Sequence, residues 1–162
     1  MAKSNYAIAS IDEEHAAKAI GRSLPISTKQ SIEICRFIRK KNLQKAKEML
    51  NKVIAKKTAI PFKRFTEIPH KKGKGIASGS YPEKASKEIL RLLESAEANA
   101  QFKGINTSNL VINHICAHKA GNQPHYGRRG GTMKRTHVEV VVQEVAEKEK
   151  KPKKKRSQKQ KK

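Results

Sequence analysis

His114, Cys116 and His118 stand at alternate positions of one apolar run, Leu110 to His118. Successive side chains of an extended strand point to opposite faces, so these three share one face. Imidazole nitrogen and thiolate sulfur are good zinc donors, but a structural zinc site takes about four ligands. The sequence offers no second Cys or His pair at a familiar spacing; His125 and His137 are only loose candidates. Nucleophilic catalysis by a Cys–His pair needs an orienting third group, and nothing singles one out. The plainer expectation is that this face packs on a helix while His118 reaches toward a phosphate. No catalytic residue, metal or cofactor is expected.

The acids point the same way. Asp12 is the only Asp in the chain. Magnesium-assisted phosphoryl chemistry needs clustered carboxylates, and little material for them exists here. Gly127, Gly130 and Gly131 lack the spacing of phosphate-cradling glycine loops and do not follow the required strand-to-helix pattern.

What the sequence offers in quantity is cations. Lys and Arg number 37 against 14 acids among 162 residues, a formal net charge of +23. Without Lys148 to Lys162, 27 basic residues still face 13 acids, so the charge belongs to the body as well as the end of the chain. Such an excess favours a polyanionic partner. In the stretch 55–80, Phe62 and Phe65 interleave with Lys63, Arg64 and His70. That interleaving suits RNA, with cations on phosphates and rings under bases. The two cysteines, Cys35 and Cys116, suggest no disulfide framework and fit a reducing cytosol. No apolar run approaches the ~20 residues that span a bilayer, and no secretory signal pattern opens the chain.

The elements that would position these residues follow from periodicity. Tyr6 to Ile11 has strand-like spacing, and Gly21 to Ile26 looks irregular. Ser27 and Gln30 form a Ser-x-x-Gln capping box before a helix running to about Arg39, with Ile34, Cys35, Phe37 and Ile38 on its apolar face. Asn42 can cap a second helix carrying Leu43, Ala46, Leu50, Val53 and Ile54. The stretch 55–80 is long and irregular, with Phe62, Phe65 and Ile68 available to pin it. Pro82 suits the start of a third helix, and Gly104 its end. Leu110 to His118 and Thr136 to Val142 read as antiparallel arms. They are joined by Lys119 to Arg135, which is Gly-punctuated and free of acids. A ribbon that long would protrude, and makes sense only if something packs around it. Helices between antiparallel strands indicate an α+β domain. The element order is strand, helix, helix, long loop, helix, strand, basic connection, strand, with the long hairpin spanning about 110–142. Residues 1–147 would form a single domain and 148–162 a disordered basic tail. The tail's Lys150-Lys-Pro-Lys-Lys-Lys-Arg156 fits an RNA-ordered extension, a nuclear-import signal or a solvated end equally well.

Certain stretches are more specific. They are Gly21 to Leu24, Ser27-Thr28-Lys29-Gln30-Ser31-Ile32-Glu33-Ile34, Ala59-Ile60-Pro61-Phe62, Tyr81-Pro82-Glu83-Lys84-Ala85-Ser86-Lys87 and Leu93-Glu94-Ser95-Ala96-Glu97-Ala98-Asn99-Ala100. To these the hairpin adds His114, Ala117-His118-Lys119, Gly127-Arg128-Arg129 and His137-Val138-Glu139-Val140. In this order they resemble the large-subunit ribosomal protein L-twenty-two family, in its archaeal and eukaryotic branch, whose eukaryotic members are called L-seventeen. The resemblance covers about Ser4 to Glu144 and implies an α+β fold, a small three-stranded antiparallel sheet packed by three helices, with a long protruding β-hairpin.

The resemblance implies a non-enzymatic structural constituent of the cytoplasmic large ribosomal subunit, bound to ribosomal RNA and neighbouring ribosomal proteins near the peptide exit. It implies that the hairpin threads the RNA and that its tip lines the tunnel of the nascent polypeptide. The tip then falls at His125, Tyr126, Gly127, Arg128 and Arg129. The residues expected on rRNA are Arg22, Lys29, Lys63, Arg64, His70, Lys71, Lys72, His118, Lys119, Lys134 and Arg135. Without the resemblance, a free-standing basic RNA-binding or RNA-chaperone protein would fit the same charge.

Overall fold

The computed structural model describes residues 6–8, 14–71, 73, 75–128 and 130–145. The expected basic tail, 148–162, lies outside them. Three strands build the main sheet: β1 (Ala16–Leu24), β4 (Leu110–Lys119) and β7 (Thr136–Glu144), in the order β1-β7-β4 and antiparallel throughout. Three helices, α1 (Thr28–Ile38), α2 (Leu43–Ile54) and α3 (Glu83–Phe102), complete the α+β body. The helices α1 and α3 pack on the sheet, and α2 packs on α3.

The strand β7 is central because its Val138, Val140 and Val142 face the helices and are fully buried. Leu110, Ile112, Ile115 and Ala117 of β4 join them in the core. Parity along β4 is broken once, at a bulge between Ile112 and His114. The extra residue lets both Ile112 and Ile115 face inward, three positions apart.

The first strand is displaced from its expected place. It occupies Ala16–Leu24 and takes in Gly21 to Leu24 of the segment expected to be irregular, where its pairing with β7 is broken between Gly21 and Leu24; Tyr6 and Ile8 belong to no strand and residues 9–11 lie outside the described set. Its core residues are Ala17 and Ala19, and α3, which packs on it, buries Ala96 and Ala100 in the same core. Alanine is a poor strand former in isolation, but here small faces small and the helix can approach closely, so packing overrides propensity. The helix also covers β1: Asn99 Nδ2 donates to Lys18 O at 2.9 Å and Lys103 Nζ to Ala16 O at 2.8 Å.

The helix ends divide. Asn42 Oδ1 accepts from Gln44 N at 3.0 Å, capping α2 as expected. The capping box at Ser27 does not form; Ser27 makes no side-chain cap, and Ser31 Oγ instead donates to Ser27 O at 2.9 Å. Pro82 stands at the N-cap of α3, and Gly104, with φ +72°, follows its C-terminus in the left-handed conformation. The short α1–α2 junction lies along β4: Lys40 N donates to Ile112 O and Ile112 N to Lys41 O, each at 2.9 Å. The second edge of the sheet is thereby covered as well.

The stretch 55–80 is less irregular than expected. A two-residue ladder of β2 (Ile60–Pro61) and β3 (Gly79–Ser80) closes its neck, and His70 bridges Ser78 within it. Phe62 is buried, and Phe65 and Ile68 pack against the core.

Beyond the Lys119–Thr136 pair the two arms of the hairpin continue as a ribbon. A second ladder pairs β5 (Gln123–Pro124) with β6 (Thr132–Met133). Between the two ladders, residues 120–122 face only 134 and 135, so the register shifts there by one residue.

Candidate nucleic-acid interface

Two buried carboxylates organise the surfaces that the cations occupy. The first is Glu33 on α1, 1% exposed. Its Oε1 accepts from Arg64 N at 2.7 Å and Phe65 N at 3.1 Å. That pair of bonds fixes the backbone of the segment carrying Lys63, Arg64 and Phe65. The Arg64 guanidinium lies 5.5 Å from the Phe65 ring centre and the Lys29 ammonium 5.6 Å. Lys63 reaches a separate basic hollow with Arg36, Arg39 and Lys41 around Glu33.

The second is Glu139 on β7, 4% exposed and on the sheet face opposite the helices. Its Oε1 lies 2.8 Å from His114 Nε2 and 3.4 Å from His118 Nε2, and the carboxylate accepts from Ala7 N. Burial by itself raises its pKa. The hydrogen bonds from His114, Ala7 N–H and His118 outweigh burial and hold it below the ordinary value. The expected packing of His114, Cys116 and His118 on a helix is therefore corrected. After the bulge their face turns away from the helices, and what covers it is Glu139 and the 6–8 segment. Cys116, His118 and Glu139 place donor atoms within 4.8 Å of one another. The carboxylate oxygens there are already engaged by the two imidazoles and by Ala7 N–H. Cys35 takes no part, since burial in the core pushes its thiol up to about 12.

Four of the expected RNA contacts converge. Lys29 from α1, Lys119 from β4, and Lys134 and Arg135 from the return arm line one groove at the base of the hairpin. Arg135 is held in place by a hydrogen bond from Nη1 to Ser23 O at 3.1 Å. Arg22 and His118 line a different cleft, on the open sheet face, with Tyr6, Ile20, His137 and Glu139. His70 and Lys71 sit apart on the exposed loop, Lys71 with its ammonium 6.0 Å from the Tyr81 ring centre. Lys72 and Arg129 lie outside the described residues.

At the end of the ribbon His125, Tyr126, Gly127 and Arg128 are all exposed, Tyr126 at 91%. His125 N donates to Gly131 O at 2.7 Å, closing the turn, and Gly127 adopts φ +128°, which a residue with a side chain rarely does.

Some contributors escaped the sequence reading. Glu33 and Glu139 look like ordinary surface acids until the fold buries them. The available signal for Glu33 was its place beside Ile34 and Cys35 on the buried face of α1. Phe102, 92% exposed at the end of α3 beside Lys18 and Lys103, was signalled by lying out of phase with the buried Ala96 and Ala100.

A family profile described as ribosomal protein L22p/L17e matches residues 19–143. The large ribosomal subunit protein uL22 of Methanococcus aeolicus is 45% identical over 152 residues, covering 89% of this chain and 99% of the relative. That of Methanopyrus kandleri is 46% identical over 143 residues, 83% of this chain and 90% of the relative. That of Archaeoglobus fulgidus is 46% identical over 121 residues, 74% and 78% respectively.

Proposed function

The chain belongs to the ribosomal protein L22p/L17e family, and on that footing we propose that it is a structural constituent of the cytoplasmic large ribosomal subunit. It binds large-subunit rRNA, sits among neighbouring ribosomal proteins and carries out no catalysis of its own. One observation carries the mechanism: cations from α1 and from both arms of the hairpin converge where the ribbon leaves the body. Most of the binding free energy comes from releasing counterions as these cations meet phosphates. Placement comes from RNA shape, because the deep major groove of an A-form helix cannot be read by side chains.

The ribbon beyond Lys119 and Thr136 reaches RNA that the body cannot. Its turn, with Tyr126, Arg128 and Arg129, contributes to the wall of the nascent-peptide tunnel. The exposure of His125 to Arg128 and the shortness of the β5–β6 ladder support this, since such a ribbon gains order from a partner rather than from its own core. The ten Lys and Arg of residues 148–162 add phosphate contacts.

Subunit fractionation tests the proposal. The protein should remain on large subunits through a high-salt wash that retains other core proteins. Its absence there, with free RNA binding intact, would instead support a free-standing RNA-binding protein.

A further inference from the structure

We propose that the groove at the base of the hairpin holds one unstacked nucleotide of the RNA, its base on the Phe65 ring and its phosphate between Lys119 and Lys134. This rests on the rRNA-binding reading and specifies the chemistry at one place. The groove has a volume of about 590 Å³, within the range of small-ligand sites. Its walls come from three separate parts of the chain: the first turns of α1, the segment held by Glu33, and the two arms of the ribbon.

The lining is of two kinds. Phe65 and Met133, both half-buried, supply an apolar surface, while Lys29, Lys119 and Lys134 are exposed around it and, among the described residues, no carboxylate lines it. A charge pattern of cations around an aromatic ring suits a base with its attached phosphate. A purely apolar side chain would leave the cations without a counter-charge. A duplex keeps its bases stacked inside, whereas an unpaired nucleotide can splay out and present a face to a ring. Arg64 lies over the Phe65 ring but does not line the groove, so the cation on the groove side is Lys29. An incoming base takes the place of that ammonium, whose flexible stem lets it follow the phosphate. Asn122, at the groove wall, carries both donor and acceptor atoms for a base edge. Phe65 is preorganised, because Glu33 Oε1 fixes its backbone N–H.

Stacking and phosphate contacts differ in their salt dependence, and the test uses that difference. The full-length protein is titrated against in vitro transcribed large-subunit rRNA over a salt series, with base-specific chemical footprinting of each complex. Phe65→Leu, which keeps an apolar side chain, should lower affinity roughly tenfold at every salt concentration without changing the slope of log K against log salt. It should also expose one nucleotide that the unsubstituted protein protects, and Phe65→Tyr should restore both. Lys134→Gln should make the slope shallower by about one. If Phe65→Leu binds as tightly as the parent, or exposes no nucleotide, the nucleotide site is wrong; a shallower slope for Lys134→Gln would then still uphold rRNA binding. If the parent shows no preference for rRNA over an unrelated transcript, the functional reading itself fails. Should Phe65→Leu not fold, Met133→Gln on the ribbon carries the same salt-independent expectation and the same overturning result.

Discussion

Glu139 joins three parts of the chain through one carboxylate: β4 through His114 and His118, β7 through its own backbone, and the 6–8 segment through Ala7. Its pKa is held below the ordinary value in the folded state, so its stabilisation is fully present above the ordinary carboxylate range. It is lost as pH falls through the folded pKa. Glu139→Gln should therefore cost about 2 kcal/mol at neutral pH. The gap to the parent should close in chemical denaturation below the carboxylate range; a gap constant with pH would mean that charge plays no part. Glu33→Ala should release the backbone of Arg64 and Phe65, costing about 2 kcal/mol. It should also weaken rRNA binding more than its own distance from RNA would suggest. The two cysteines give a further test. Cys35 is buried with its thiol pushed up to about 12 and should react with a thiol reagent only after unfolding, whereas half-buried Cys116 should react in the native protein. Both cysteines were legible as unpaired from their number alone. The hydrogen-bond shell of Glu139 was not, because it depends on which residues of β4 and β7 face each other.

Among the elements, the hairpin has two mechanical regimes. Up to the Lys119–Thr136 pair it is part of the sheet, with Ile112 and Ile115 fully buried. Ile115→Ala should cost about 2–5 kcal/mol by leaving a cavity, seen as a lower thermal midpoint of the isolated protein. Beyond that pair, Arg128 is exposed and touches nothing in the core. Replacing Arg128 and Arg129 by Glu should leave the helical circular dichroism and the thermal midpoint unchanged while impairing subunit assembly or nascent-chain passage. A loss of helicity would place these residues in the body instead. The two arms were readable from β-branched and alternating residues, and α2 and α3 from their apolar stripes. The strand β1 was not readable. Its Ala17 and Ala19 carry no strand signal, and become core only because Ala96 and Ala100 of α3 leave room for close approach.

For the whole molecule, charge sets partner and kinetics while the small core sets shape. With a net charge of +23, rRNA affinity should fall steeply with salt, each phosphate contact adding roughly 0.7–0.9 to the slope. Deleting 148–162 should make the slope shallower yet leave subunit incorporation largely intact; complete loss of incorporation would show that the tail is essential. By itself the sequence determined the α+β class, the long basic hairpin and, through its ordered motifs, the family. These depend on periodicity, composition and local spacing, which survive in one dimension. Tertiary structure alone decided that Lys29, Lys119, Lys134 and Arg135 share a groove with Phe65, while Arg22 and His118 face another cleft. It alone decided that Glu33 and Glu139 are buried anchors. The physical reason is that register, the bulge after Ile112 and the packing of α1 on β4 bring together residues as far as 132 positions apart. Local propensity carries no information about that separation.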